Sequence, residues 1–289
     1  MASKKILSAG EQFRLRNILQ AAALAAMMDS RRWEPGELAF QGGTCLYLAH
    51  GSARFSEDLD FMVRGGLSLN GLAKEVQRRL RLPTDIPAGL AVSVTPSRSD
   101  RNPHAFMVTL SGPDFIGSAK VKIELWQTDP QVLKSVKVNV STIASPSGAQ
   151  AFVPTATLDE ILVDKIYALG ARDRLKPRDI FDLWWLFSRS APPKLWPDSL
   201  LARLSIYPRG DLRSTAQQWL EGADKQLAAL GQPRAIAMVA DDLKRWLPSY
   251  WPLSDQETSA MIAVATEQLR AGVVIVQAYL QAQLQAGSS

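Results

Sequence analysis

Cysteine and histidine are nearly missing from this chain. Its 289 residues include one cysteine, Cys45, and two histidines, His50 and His104. One cysteine allows no internal disulfide and fits a reducing cytoplasm. Two histidines give little material for a zinc centre or a histidine-based hydrolase site. Long hydrophobic runs are also scarce. The longest strongly apolar segment, Ala21 to Met28, is too short to span a bilayer. Glu11, Arg14 and Arg16 precede it within one helical pattern, unlike a signal peptide. There is no internal repeat and no low-complexity tract. Neither sign of charge dominates: 33 Lys and Arg stand against 28 Asp and Glu, a net charge of +5. That balance is compatible with a nucleic-acid partner without requiring one. With 46% apolar residues the chain reads as globular, and it is long enough for one large core or two ordinary ones.

What is present is concentrated between residues 41 and 63. Glu57-Asp58-Leu59-Asp60-Phe61-Met62-Val63 alternates as a strand does, so Asp58 and Asp60 share one face while Leu59, Phe61 and Val63 enter a core. Two same-face carboxylates repel unless a cation lies between them, and hard oxygen ligands suit Mg²⁺. Upstream, Gly42-Gly43-Thr44 opens a short apolar helix containing Cys45, which reads as a buried helix residue. Glycines at a helix N-terminus let backbone N–H groups approach an anion, and Thr44 adds a hydroxyl. Arg54 is a bidentate phosphate fork by type, and Ser56 bonds either local backbone or phosphate. Alone, each piece is commonplace: a solvated strand end, a turn, a surface arginine. In order they describe a phosphate cradle, an arginine and a pair of metal carboxylates, which is a site for a nucleoside triphosphate and its metal.

Along the rest of the chain, Ser8 and Glu11 have capping-box spacing before a helix reaching about Ser30. Asn70 is an N-cap candidate for a helix through Leu82, whose outer face carries Lys74, Arg78, Arg79 and Arg81. Strands are expected at Leu90 to Thr95, Phe106 to Leu110, Lys120 to Trp126 and Val136 to Val140, with Arg98 and Arg101 in a loop between the first two. Ser145-Pro146-Ser147-Gly148 reads as a linker, dividing a catalytic domain (1–148) from a helical domain (149–289). Thr157 to Glu160 and Ser254 to Glu257 give two more capping boxes. Helices are expected at Leu200 to Leu204, Leu212 to Leu220, Ala235 to Leu247 and Ser254 to Leu284. Trp196, Trp219, Trp246 and Trp251 read as core anchors.

Gly42-Gly43-Thr44, Leu46, Arg54, Ser56, Asp58 and Asp60 together resemble the first motif of the AbiEii/AbiGii toxin family, the MenT-like nucleotidyltransferases of the DNA polymerase β superfamily. Val163-Asp164-Lys165-Ile166-Tyr167-Ala168-Leu169 resembles that family's A-D-K segment, and Arg178-Asp179-Ile180-Phe181-Asp182-Leu183 its R-D-x-aromatic-D-L pattern. The likeness covers roughly residues 38 to 190. It implies an α+β fold, with a small mixed sheet flanked by helices and then a helical domain closing a nucleotide cleft. It implies Mg²⁺ on Asp58, Asp60 and a third carboxylate from a later strand, for which Glu124 is the candidate; an exposed Glu124 paired with Lys122 is the other reading. Gly42, Gly43, Thr44, Arg54, Ser56 and Lys165 would hold the triphosphate, with Lys165 and Asp179 among the catalytic residues. Asp179 and Asp182 either clamp Lys165 or Arg178 or activate the acceptor hydroxyl. The resemblance further implies the toxin of a type IV toxin–antitoxin pair, a cytoplasmic, non-membrane enzyme that moves NMP from NTP to the tRNA 3′ end and halts translation. Its cognate antitoxin would be a partner, and its oligomeric state is open. A basic surface of Lys74, Arg78, Arg81, Arg172, Arg174 and Lys176 is the expected tRNA contact. Two alternatives stand beside this: transfer to a protein or small hydroxylated acceptor, and a non-catalytic binding module.

Overall fold

The computed structural model describes residues 4–84, 86–97, 102–144, 148, 150–207 and 212–286. In chain order the elements are β1 (Lys5–Ile6), α1 (Ala9–Asp29), β2 (Leu38–Gln41), α2 (Gly42–His50), β3 (Leu59–Arg64), α3 (Leu72–Arg79), β4 (Ala91–Pro96), β5 (His104–Ser111), β6 (Phe115–Ile116) and β7 (Ala119–Thr128). There follow α4 (Pro130–Ser135), β8 (Val138–Ala144), β9 (Gln150–Ala156), α5 (Leu158–Ala171), α6 (Pro177–Phe187), α7 (Pro197–Ile206), α8 (Leu212–Leu230), α9 (Ala235–Leu243) and α10 (Asp255–Ala286). The fold is α+β, a mixed sheet flanked by helices followed by helices alone. Arg98 and Arg101, and most of the expected linker, lie outside the described residues.

The chain divides into two compact units. The first holds residues 1–51 and 56–156, and the second holds Ser52–Phe55 and everything from Thr157 onward. The division falls after Ala156 rather than at Gly148, because β9 belongs to the sheet: it pairs with β8 on one side and with β2 on the other. The four-residue excursion Ser52–Phe55 into the second unit has no counterpart in the sequence reading.

The first unit is built on a seven-stranded sheet in the order β4-β5-β7-β3-β2-β9-β8, with β1 and β6 as a separate parallel pair. Alternation sets the faces. Leu59, Phe61 and Val63 of β3, and Val121, Ile123 and Leu125 of β7, are fully buried. Phe40 of β2 packs on Phe61 with ring centroids 5.1 Å apart. The α1 capping box is present as expected: Ser8 Oγ accepts from the Glu11 N–H and the Glu11 carboxylate accepts from the Ser8 N–H. Gly71, in the left-handed region at φ 76°, stands at the N-cap of α3 in place of Asn70, and the helix ends at Arg79. The β4 edge is covered by the Gln77 side chain of α3, which donates to the Val92 carbonyl and accepts from the Val94 N–H.

The second unit is helical. Three glycines set its tight crossings: a Cβ at Gly170 would lie 2.5 Å from the Trp219 ring, one at Gly222 would lie 2.2 Å from the Gly170 carbonyl, and one at Gly272 would lie 2.8 Å from Ile166. The capping box at α10 forms as expected, with Ser254 and Glu257 exchanging backbone hydrogen bonds. The one expected at α5 does not. The Thr157 hydroxyl has no hydrogen-bond partner among the described residues, and the Glu160 carboxylate, which would have closed the box on the Thr157 N–H, is drawn to Arg203 instead. Arg203, 1% exposed, donates to Glu160 Oε2 at 2.8 Å and to Asp164 Oδ1 at 2.6 Å, fastening α7 to α5. Trp219 donates its indole N–H to the Tyr167 carbonyl, and Trp251 packs edge to face on both Phe181 and Trp184. Among the described residues, α10 is the helix long and apolar enough to cross a membrane. Its Met261, Ala265, Leu269 and Val276 are buried, and it packs against α5 to α9.

Candidate active site

The site in the first unit begins where β2 turns into α2. Gly42 takes φ +79°, a conformation costly for any other residue. A Cβ there would lie 2.6 Å from Asp60 Oδ2. Conformation and space therefore both demand glycine, and the result is that the N-terminus of α2 comes up against the Asp60 carboxylate. Gly43 is buried in the first turn. Thr44 is placed otherwise than expected. It is wholly buried, and its hydroxyl donates to the Asp58 carbonyl in a short hydrogen bond. Thr44 thus fixes the backbone that presents Asp58 and does not offer its hydroxyl outward.

Beside this turn, β3 lies parallel to β7 with Asp60 opposite Glu124 and Leu59 opposite Ile123. Parallel neighbours in register share a face and stand about 4.8 Å apart. Asp60 and Glu124 are therefore side by side, and Asp58 immediately precedes the paired stretch. Lys122, two residues before Glu124 on the same face, joins them. The Lys122 ammonium is bonded to Glu124 Oε1. That hydrogen bond raises the lysine pKa against the effect of burial, and Asp58 and Asp60 push it the same way.

All donors here are carboxylate oxygens, the chemistry that suits Mg²⁺. Asp58 and Asp60 are the two carboxylates of that chemistry at the start of β3. Among the described residues, however, no three His, Cys, Asp or Glu side chains are gathered as a metal cage. Glu124, in the right register, is turned to Lys122. Downstream of Glu57, which takes an ion pair from Arg16 at 2.7 Å, the strand starts on a fixed backbone: Gln20 donates to the Ser56 carbonyl at 2.8 Å. The Ser56 side chain is half-buried.

The second unit gathers the remaining named residues into one buried ion network. Arg54 is 2% exposed. Its Nε and Nη2 donate to the two oxygens of Asp182 at 2.6 and 2.7 Å, and Nη1 donates to the Phe55 carbonyl at 2.7 Å. The expected phosphate fork is a carboxylate fork, occupied within the protein. The Phe55 N–H, in turn, donates to the Trp246 carbonyl at 2.8 Å. Lys165 reaches Asp179 Oδ1 at 3.0 Å and Asp182 Oδ2 at 2.7 Å, so the two aspartates clamp it. Arg172 Nε lies 3.1 Å from the other Asp179 oxygen, without the alignment of a hydrogen bond. Arg178 instead stacks over Trp246, 4.3 Å from the ring centroid.

Burial alone would raise both aspartates. The positive charges outweigh it: Arg54 and Lys165 hold Asp182 at about 2, and Lys165 and Arg172 hold Asp179 below its ordinary value. Lys165 is raised for the same reason in reverse, since Asp182 and Asp179 overcome its desolvation. All four buried groups are charged near neutral pH. Sequence reading gave the pairing of Glu124 with Lys122 as the alternative to a metal role, and that pairing is what the structure holds; it missed Asp182 as the partner of Arg54. The alternation that put Lys122 on the face of Glu124 was visible. The pairing of Arg54 with a residue 128 positions away was not.

The basic surface is thinner than expected. Arg78 and Arg79 both bond Glu75 within α3, and Arg172 is engaged by Asp179, leaving Lys74 and Arg81 in the first unit and Arg174 and Lys176 in the second exposed, Arg81 bonded among the described residues to backbone carbonyls only.

A comparison with curated proteins finds no match. Among solved structures, the chain is similar to MenT4, nucleotidyltransferase toxin Rv2826c from Mycobacterium tuberculosis H37Rv, with a TM-score of 0.53 and 15% identity, covering 93% of this chain and 94% of that one. At that identity the likeness speaks for the fold. JHP933 from Helicobacter pylori matches at a TM-score of 0.47 and 21% identity, over 96% of this chain and 99% of that one. The family model described as nucleotidyl transferase AbiEii toxin, type IV TA system, matches residues 25–252, from within α1 to just short of α10. Both the acidic sheet face and the buried ion network fall inside that span, and the chain belongs to the AbiEii nucleotidyltransferase toxin family.

Proposed function

We propose that this AbiEii-family chain is a Mg²⁺-dependent nucleotidyltransferase that moves NMP from NTP to the 3′ end of tRNA, so blocking translation, and that it works in the cytoplasm under control of a cognate antitoxin. The observation that carries the catalytic part is the register of β3 on β7, which stands Asp60 beside Glu124, with Asp58 immediately before the strand, against the glycine turn of α2. Mg²⁺ held by Asp58 and Asp60 would supply Lewis-acid polarisation of the α-phosphate and a lowered pKa for the attacking hydroxyl. The chain's own residues do the rest. Gly42 and Gly43 leave room for phosphate oxygens at the first N–H groups of α2. Thr44 holds the Asp58 backbone in place. Lys165, fixed in orientation by Asp179 and Asp182, is assigned to the charge on the leaving pyrophosphate, and Arg54 acts by orienting Asp182.

The test is to incubate the full chain with each α-labelled NTP and total RNA, in Mg²⁺ and in EDTA, beside an Asp58→Ala control. The expected product is a labelled RNA of tRNA size that survives protease, yields to ribonuclease and is absent from the control and from EDTA. Label that resists ribonuclease and yields to protease would replace tRNA with a protein acceptor. Label in neither would leave the binding-module reading.

A further inference from the structure

Lys122 has no place in the expected site, yet it stands within it. Asp60 projects from β3, with Asp58 immediately before the strand, and Lys122 and Glu124 project from the parallel neighbour on the face of Asp60, glutamate beside Asp60. The ammonium is bonded to Glu124, the carboxylate that a metal would recruit from this strand. Lys122 is 43% exposed along its side chain, so it has room to swing outward.

We propose that Lys122 is a resident counter-cation that competes with divalent metal for Glu124, so that Glu124 joins the metal site only when Lys122 lets go. This rests on the reading of Asp58 and Asp60 as metal ligands. While Lys122 holds Glu124, that carboxylate would be closed to an ion held by Asp58 and Asp60. A bound triphosphate would bring negative charge of its own and would draw the lysine off Glu124. Removing the lysine charge removes the competitor, so the protein alone should bind divalent metal more tightly.

The experiment is a Mn²⁺ titration of the full chain, without nucleotide, followed by calorimetry or by the electron paramagnetic signal of free Mn²⁺, on wild type, Lys122→Met, Lys122→Gln, Glu124→Gln and the Lys122→Met/Glu124→Gln pair. Either lysine variant should tighten Mn²⁺ binding by about tenfold, as expected for removing one like charge a few ångströms away. The gain should vanish when Glu124 is already neutral. Melting temperature gives an independent reading: Lys122→Met should melt below wild type in EDTA and gain more than wild type from added Mn²⁺. Unchanged or weaker binding in both lysine variants overturns the proposal, and so does a gain that persists in the Glu124→Gln background. Asp58→Asn separates the two levels. If it abolishes wild-type Mn²⁺ uptake while the lysine variants bind as wild type does, the competition fails and the metal site stands. If it leaves uptake unchanged, the metal site itself fails and the proposal with it.

Discussion

On the sheet of the first unit, Asp60 and Glu124 share a face with Lys122, Asp58 stands just before the strand, and all four side chains are half-buried. In the second unit two aspartates meet Arg54 and Lys165 in a fully buried cluster, two charges against two, with Arg172 at the margin. A buried charge is tolerated only when it is paired and hydrogen-bonded, so the second cluster answers to the stability of its own unit. Half-exposed acids of one sign repel one another unless a cation joins them, which is the basis for proposing a metal there. The same residue types, at similar density, thus do opposite work according to burial and balance.

The comparison breaks most completely at the sheet. Asp58→Ala or Asp60→Ala should reduce nucleotide transfer to background while the melting temperature in EDTA stays level or rises slightly. Near wild-type transfer in either variant removes the metal assignment. Gly42→Ala belongs in the same experiment, because its methyl group would meet Asp60. It should lose transfer and some stability together.

In the second unit the order reverses, and stability goes first. Asp182→Ala leaves Arg54 charged and buried with no carboxylate fork. It should cost about 3–5 kcal/mol in chemical unfolding, the usual penalty for orphaning one member of a buried pair. A loss under 1 kcal/mol would mean that the cluster is not formed in solution.

Acid should reach the same cluster without mutation. Asp182 is held at about 2, below its ordinary 3.8, so its contribution is complete above about pH 4, shrinks as the pH falls, and is gone below about pH 2. A shift of that size is worth on the order of 2 kcal/mol. Urea midpoints between pH 5 and pH 2 should fall for wild type and flatten for Asp182→Asn. Equal slopes would place the acid sensitivity elsewhere.

Lys165→Met keeps the volume and removes the charge, leaving Arg54 to Asp182 and Arg172 to Asp179. Turnover should drop by about tenfold to a hundredfold, with the unfolding midpoint lowered less than in Asp182→Ala. A variant with full turnover would make Lys165 purely structural. The smallest effect is expected at the surface. Reversing Arg174 and Lys176 should weaken tRNA binding and flatten its salt dependence by about one unit of slope per contact removed. An unchanged slope would exclude that patch.

What could be read in the sequence was whatever repeats over short distances. Alternation through Asp58 to Val63 and Lys120 to Trp126 gave two strands and their outward acids, and the capping boxes at Ser8 and Ser254 gave two helix starts. Three residues show where local pattern stops. Thr157 and Glu160 have the same spacing as Ser8 and Glu11, but Arg203, 43 residues beyond Glu160, takes the glutamate. Thr44 sits in a phosphate-cradle pattern, and a backbone carbonyl 14 residues on takes its hydroxyl. Arg54 was placed in the correct motif but given the wrong partner, because a guanidinium forks a carboxylate as readily as a phosphate. Strand β9 was absorbed into the helical domain because its only mark was the Gly148 turn, and its pairing with β2 joins residues more than a hundred positions apart.

The excursion of Ser52–Phe55 into the helical unit also gives the molecule a clock. On a ribosome, every strand of the sheet has been made once residue 156 emerges, and the Asp58 carbonyl already has its bond from Thr44. Residues 52–55, between the glycine turn and the carboxylate strand, then still lack their partners, because Arg54 waits for Asp182 and Phe55 for Trp246. A chain that stops short of Asp182 has neither anchor, and one that stops between Asp182 and Trp246 has only the first.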